Sequence, residues 1–503
     1  MQETPDAPSL GRPGSRIASS IAALILSTII LSFPASLNGF PFIFYDTSSY
    51  LKRSAVAATF IIGDDHASPK PQSGPSATAS HASDGPLVRH TQNPFFLRPI
   101  TYSAFLVPFS TKLTFFLIPF AQALLSAYVL LRLFRSVGIR HIAPFLVSVV
   151  ALAVFTSLPI HVGYVMPDLF TALLIIFSFV TIRTWRQRTM LARLFDIGLM
   201  TFFIAVHLSH IPIALALIVV CFLMPALLPR EFNWRAIVLG LCLPLLLAVS
   251  VLTASNVLAA RKYVISESSP LFLLARLVGD GPARAYLAKA CPHKGYLICT
   301  ELDRLGAHSK EASISDYFLW NPNGAVKRIA DPRLVAEAAE INAATIRAYP
   351  GWIAVNATRN ALRQLVTFQV DDDINNRAAP MVSTIFEMIG GDLPSQYLNS
   401  AQSRGRFPLG TARLLLAVGL AAAAALLVQL VATRRRHVAP DVWAFAFVAV
   451  TGVCANALAI GALSEVHDRY QNRVIWLLPL VALLAAWSAS ARRREVSASE
   501  AAN

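Results

Sequence analysis

Long apolar runs alternate along this chain with short polar connectors. Ten such runs are laid out between residues 17 and 490, near 17–33, 113–133, 142–158, 167–183, 236–254, 410–432, 441–462 and 474–490, with two more in a tight hairpin over 195–228. A run of about 20 residues crosses a hydrocarbon core roughly 30 Å thick. In lipid such a run must be helical, because backbone amides find no partner there except within the helix. The pattern predicts an all-α polytopic membrane protein with about ten transmembrane helices. Residues 99–110, apolar but separate from the next run, read as a short interfacial helix.

The polar stretches divide the chain further. Residues 1–16 form an N-terminus, and 17–254 a transmembrane module of about seven spans with a first loop at 34–98. Residues 255–408 have the size of a domain and a mostly helical pattern, over Pro270–Leu277, Pro282–Ala290, Pro332–Tyr349 and Gly351–Leu365. Three spans over 409–490 and a tail at 491–503 close the chain. Within the first loop, Gly63–Pro86 is rich in Ser, Ala, Pro and His and reads as a linker. Pro322-Asn323-Gly324 and Gly390-Gly391 mark turns.

Composition supports this picture. Apolar residues make up 55% and charged ones 14%, where a soluble protein would carry about a quarter charged residues. The net charge of +15 invites a nucleic-acid partner. Its distribution argues against one. Arginines cluster at helix ends, at Arg12 and Arg16, Arg132 to Arg140, Arg183 to Arg193, Arg230 and Arg235, Arg434 to Arg436 and Arg492 to Arg494. That is the positive-inside pattern, so the charge reports topology and contact with membrane lipids. It places both termini in the cytoplasm and the 34–98 loop and 255–408 domain outside. The Ala- and Arg-rich composition fits a bacterial chain, hence an inner membrane with those segments facing the periplasm. Cys291 and Cys299 lie in the outer domain, where an oxidising compartment permits a disulfide; two cysteines alone do not make a zinc site.

The chemically interesting clusters all fall on the outer side. Phe44-Tyr45-Asp46-Thr47 follows the first span, Arg98-Pro99 ends the first loop, Pro167-Asp168 opens the fourth span, and His467-Asp468-Arg469-Tyr470 with Arg473 precedes the last. Asp46 suits either a general base or the cap of a helix starting at Thr47, and the two roles are compatible. Asp168 fits the first turn of a helix, and as an ionisable group at a span mouth it also calls for a partner or a use. With Asp46 it would position a hydroxyl or bind a divalent cation through oxygens. Arg98, Arg469 and Arg473 suit a phosphate, which the planar guanidinium binds bidentately. Lys52 and Arg53 read as snorkelling interfacial residues. His207 and His210 make a weak metal signal and a better pair of hydrogen bonders. Asn356-Ala357-Thr358 is a glycosylation sequon on the outer side. No Walker, GxSxG or HExxH motif is present, which leaves ATP-driven transport and the common hydrolase templates without support.

This layout resembles the GT-C superfamily of integral-membrane glycosyltransferases, which includes the protein O-mannosyltransferases and the enzymes that glycosylate lipid A. Tyr45-Asp46-Thr47 matches their essential acid in the first external loop, and Pro167-Asp168 their second acid. Arg98-Pro99-x-x-Tyr102 is similar to the element after that loop, and His467-x-Arg469-Tyr470 to the region that holds the donor phosphate. The resemblance implies a polyprenyl-phosphate sugar as donor and an envelope glycan, lipid or protein as acceptor. Asp46 and Asp168 would be catalytic, Arg469, Arg98 and Arg473 would bind the donor phosphate, and Tyr45, Tyr102, His467 and Tyr470 would line the substrate. The large domain between spans seven and eight departs from the family, where it lies at the C-terminus. Two other classes remain open: a transporter or flippase for a lipid-linked saccharide, and a non-catalytic assembly partner. The near-absence of charges at span centres and of internal repeats counts against transport.

Overall fold

The structure is a computed structural model that describes residues 13–62, 98–223, 233–310, 312–370, 372–375, 386, 389–434 and 437–502. The Gly63–Pro86 linker lies outside these residues. Nineteen helices carry the argument below. They are α1 (Pro13–Asn38), α2 (Thr47–Ile62), α3 (Ile100–Leu106), α4 (Ile118–Ser136), α5 (Ile142–Phe155), α6 (Leu158–Gly163), α7 (Leu169–Thr184), α8 (Met190–Ala205), α9 (His210–Leu223) and α10 (Leu243–Ala260). A polar domain follows with α11 (Ser269–Asp280), α12 (Pro282–Ala290), α13 (Ile314–Trp320), α14 (Leu334–Ala348) and α15 (Pro350–Val366). The chain closes with α16 (Leu409–Arg434), α17 (Pro440–Leu463), α18 (Asp468–Ile475) and α19 (Leu477–Ala502). The described residues contain no strand, only an isolated parallel bridge between Phe42 and Tyr164.

A helix occupies each of the ten apolar runs. Seven are long and apolar enough to cross a membrane: Ile17–Asn38, Phe115–Ser136, Leu169–Gln187, Trp234–Leu258, Leu409–Thr433, Pro440–Leu463 and Asp468–Arg494. The protein is a multi-pass, all-helical membrane protein. The other three, α5, α8 and α9, have 14, 16 and 14 residues. At 1.5 Å per residue they reach about 21–24 Å, short of the full hydrocarbon thickness. A helix stands at 99–110, α3, extended by a tighter turn at Val107–Phe109.

Burial orders the bundle. In α7 every residue from Leu169 to Thr181 is buried, so this helix is apolar all round and central. By contrast α1 shows Ile17, Ile21, Ile25, Ile29, Phe33 and Leu37 on its outside, and α16 shows Leu414, Val418, Val428 and Val431. Such stripes suit lipid, which solvates apolar side chains as well as a protein core does. Residues 255–408, one domain in the sequence reading, divide between two cores. Leu271 to Ile341 build a separate cluster, whereas Val370, Ile374, Phe386, Leu393 and Tyr397 belong to the core of the membrane helices. Cys291 and Cys299 are joined by a disulfide in the polar domain.

Candidate functional site

The site begins with a short strap. After α1 the backbone runs extended, Phe42 N–H donating to Gly163 O and Val165 N–H to Phe42 O, both at 2.9 Å. A Cβ at Gly163 would stand 2.6 Å from the Phe42 ring, so only glycine lets the two segments approach this closely. Gln402 clamps the strap from the other side, its amide donating to Ile43 O at 2.7 Å and accepting from Ile43 N–H at 2.9 Å. Thr47 donates to Val165 O at 3.1 Å. These bonds hold Asp46 at the start of α2, where its carbonyl accepts from Ser49 N–H. The expected helix start at Thr47 is present. The Asp46 carboxylate is turned to arginines.

Arg98 Nη2 donates to Asp46 Oδ1 at 2.6 Å, and Arg469 Nη2 stands 3.6 Å from Oδ2. Burial works against the Arg98 charge, but Asp46 more than offsets it and raises the guanidinium above its ordinary pKa. Arg469 lies over Phe44, its guanidinium carbon 3.8 Å from the ring centroid, a contact worth about 2 kcal/mol where water is excluded. Its Nη1 is buried without a hydrogen-bond partner. An arginine nitrogen left so is costly unless an anion visits it.

Above this pair opens a cavity of about 520 Å³, within the usual range for small-molecule sites. One wall is Phe44, Tyr45, Asp46, Arg98, Arg469 and Tyr470, and the other is polar-domain material, Phe272, Arg276, Asp316, Trp320 and Lys327. Glu465 and His467 complete the rim. His467 Nε2 reaches Asp316 Oδ2 at 3.3 Å and ties the two walls together. Burial opposes the charge on His467, and the hydrogen bond it donates to Asp316 wins, raising its pKa above the ordinary value. Arg276 is held by Asp280 and, at 3.0 Å, by Glu465.

Asp168 stands elsewhere. Its carboxylate does not line this cavity and makes no capping bond to α7, although the residue occupies the N-cap position. It is 2% exposed and takes Arg473 Nη1 at 3.1 Å, while Arg473 is fully buried. Arg473 is completed by Asn456 Oδ1 at 2.8 Å and Ser209 Oγ at 3.0 Å. Tyr102 is likewise buried, bonded to Gln122 at 3.2 Å. Thus Asp46, Arg98, Arg469, Tyr45, His467 and Tyr470 gather on one cavity, and Asp168, Arg473 and Tyr102 pack beneath it.

The oxygens of Asp46 and Asp168 already face guanidinium groups, and that donor set does not fit a divalent cation. Among the described residues no group of three or more His, Cys, Asp or Glu comes together. His210 is bonded at both ring nitrogens, donating to Phe203 O and accepting from Thr171 Oγ1 at 2.7 Å, which makes it a packing residue. Asn356 of the sequon is also turned inward, donating to Asp280 O at 3.2 Å.

Sequence reasoning missed the second wall, because Phe272, Asp316, Trp320 and Lys327 join the site only through the packing of the polar domain. It also missed Asn456. A lone amide inside an apolar span was the available signal for a buried polar partner. At the other end of the bundle the arginine clusters make their own pairs: Arg132 and Arg188 both hold Asp196, and Arg183 holds Asp441 at 2.8 Å. No family model, curated protein or solved structure matches the chain.

Proposed function

We propose that the protein is a membrane glycosyltransferase of the GT-C type, moving a sugar from a polyprenyl-phosphate donor to an extracytoplasmic acceptor. In this reading ten helices cross the bacterial inner membrane, and the cavity end faces the periplasm. The observation that carries the reading is the Asp46 carboxylate on a 520 Å³ cavity, flanked by Arg98 and by Arg469 with its unsatisfied buried nitrogen. An acid beside an arginine with one nitrogen left over suits transfer of a glycosyl group from a phosphate.

Arg98 fixes Oδ1, and Oδ2, 3.6 Å from Arg469 and so not hydrogen-bonded to it, would take a proton from an acceptor hydroxyl. The acceptor oxygen bonds to the anomeric carbon, the bond from that carbon to the phosphate oxygen breaks, and the lipid phosphate departs with the electron pair. Arg469 lies where it would receive the growing negative charge. One face is attacked as the other is vacated, so the anomeric configuration inverts. Asp168 and Arg473 hold α18, and so Arg469, in position; they are positioning residues in this scheme.

The test is consumption of radiolabelled polyprenyl-phosphate sugars by membranes carrying the full chain. Turnover that depends on Asp46 supports the reading. Movement of intact lipid-linked sugar across the bilayer without cleavage would replace it with a flippase.

A further inference from the structure

Helix α15 buries amides and exposes an apolar stripe. Its inner face mixes Ile353, Ala361 and Leu365 with three buried amides, Asn356, Asn360 and Gln364, bonded to Asp280 O, to the Asp280 carboxylate and to His467 O. Its outer face carries Trp352, Val355, Leu362 and Val366, exposed by 45%, 60%, 61% and 72%. Spacings of three, seven and four residues put these four on one stripe. Arg359 and Arg363 are exposed on the same side.

The depth of this stripe follows from its neighbours. A Cβ on Gly461, in the last turn of the α17 span, would lie 2.4 Å from Ala361 N, so the two helices touch backbone to backbone. Gln364 bonds to His467, Gln369 N–H to Asp468 at 2.6 Å, and Phe368 O accepts from Asn472 at 2.7 Å. The C-terminal half of α15 therefore sits level with the first turns of the last span. Leu365 and Phe368 pack into the core of the membrane helices. The stripe continues the outward apolar surface of α17, where Leu458 and Leu463 are exposed by 55% and 49%.

We infer that α15 is seated in the bilayer interface, its apolar stripe in the acyl boundary and Arg359 and Arg363 on anionic lipid phosphates. A water-facing helix would keep its amides outside and its valines in; here lipid is the solvent that fits the exposed side. Continuity with the span fixes the occupant as lipid, and the two arginines match the charge of its headgroups. This seating anchors the polar domain beside the cavity and is independent of the reaction performed there.

Bimane attached at Leu362→Cys or Val366→Cys tests it. The full chain, with Cys221, Cys242 and Cys454 replaced by alanine, is reconstituted in vesicles of phosphatidylcholine and phosphatidylglycerol, and Lys310→Cys serves as the aqueous control. All three labelled positions are on the surface, and since Cys221 is buried, each variant is used only if it elutes as the parent does on size exclusion in detergent. Lipid-attached nitroxide is expected to quench bimane at 362 and 366 at least about twofold more than at 310, with aqueous iodide showing the reverse order. Iodide quenching at 362 and 366 equal to that at 310 would overturn the inference. So would shielding from both quenchers, which would mean that a second protein surface covers the stripe.

Discussion

Asp46 and Asp168 stand at the same end of the bundle, and each meets an arginine of the same short helix, α18. Arg469 and Arg473 are four residues apart, one helical turn, on one face. Yet the two acids live differently. Asp168 and Arg473 are sealed, 2% and 0% exposed, with Asn456 and Ser209 completing the arginine. Asp46 and Arg98 are about one-fifth exposed on a cavity, and Arg469 retains an unpartnered nitrogen. A saturated ion pair holds helices; an unsaturated one leaves donors for a visitor. Together they let a single turn of helix fasten the fold and present a site.

The comparison breaks most sharply through activity. Asp46→Asn is expected to lower sugar transfer by about 10²- to 10⁴-fold, the usual loss for a general base, read as donor turnover in membranes. The melting temperature should fall less than in the sealed pair, since about a fifth of each partner stays open to the cavity. The opposite profile is expected for Asp168→Asn. It strands the Arg473 charge in the interior and costs about 3–5 kcal/mol, seen as a lower Tm in detergent. The pair replacement Asp168→Leu with Arg473→Met should recover most of that loss. A double variant as unstable as the single would contradict a simple ion-pair role.

Arg469→Lys sharpens the cavity side. Lysine keeps the charge and loses the planar fork. Turnover should fall by about 10- to 100-fold, the worth of one or two charged hydrogen bonds, while Tm stays near that of the parent. A parent-like rate would remove the phosphate from this arginine. The smallest effect concerns His467. Its folded pKa is raised by Asp316 above the unfolded value of about 6.5, so the clasp contributes in full below that pH and fades as pH rises through the folded pKa. Tm is expected to drop slightly between pH 6 and pH 9, and Asp316→Asn should flatten that slope. An unchanged slope in Asp316→Asn would place the titration elsewhere.

Much of this was legible in the chain. Hydropathy located the long apolar helices, because in lipid a long apolar run has only one backbone solution, but not the short buried α6. The polar clusters at residues 46, 98, 168 and 469 stood out because charge near a span needs a reason. The split between them was not legible. Asp46 and Asp168 both follow a span boundary pattern, and only packing decides that Asn456 and Ser209 close around Arg473 while Phe44 leaves Arg469 facing a cavity. Nor could the polar-domain wall be seen. Trp320 and Asp316 reach the site by tertiary contact across more than a hundred residues, and sequence periodicity carries no such information. The exposed apolar stripe of α15 was not legible either, because which face of a helix turns outward is set by its tertiary contacts, here with Gly461 and, just beyond the helix, Asn472.

The most direct measurement sets Asp46→Asn beside Asp168→Asn, with lipid-linked sugar turnover and thermal melting recorded on the same preparations. The account predicts a stable, inactive Asp46 variant, and an Asp168 variant whose melting temperature falls while any folded fraction still turns over donor. An Asp46 variant that is folded and fully active would contradict it.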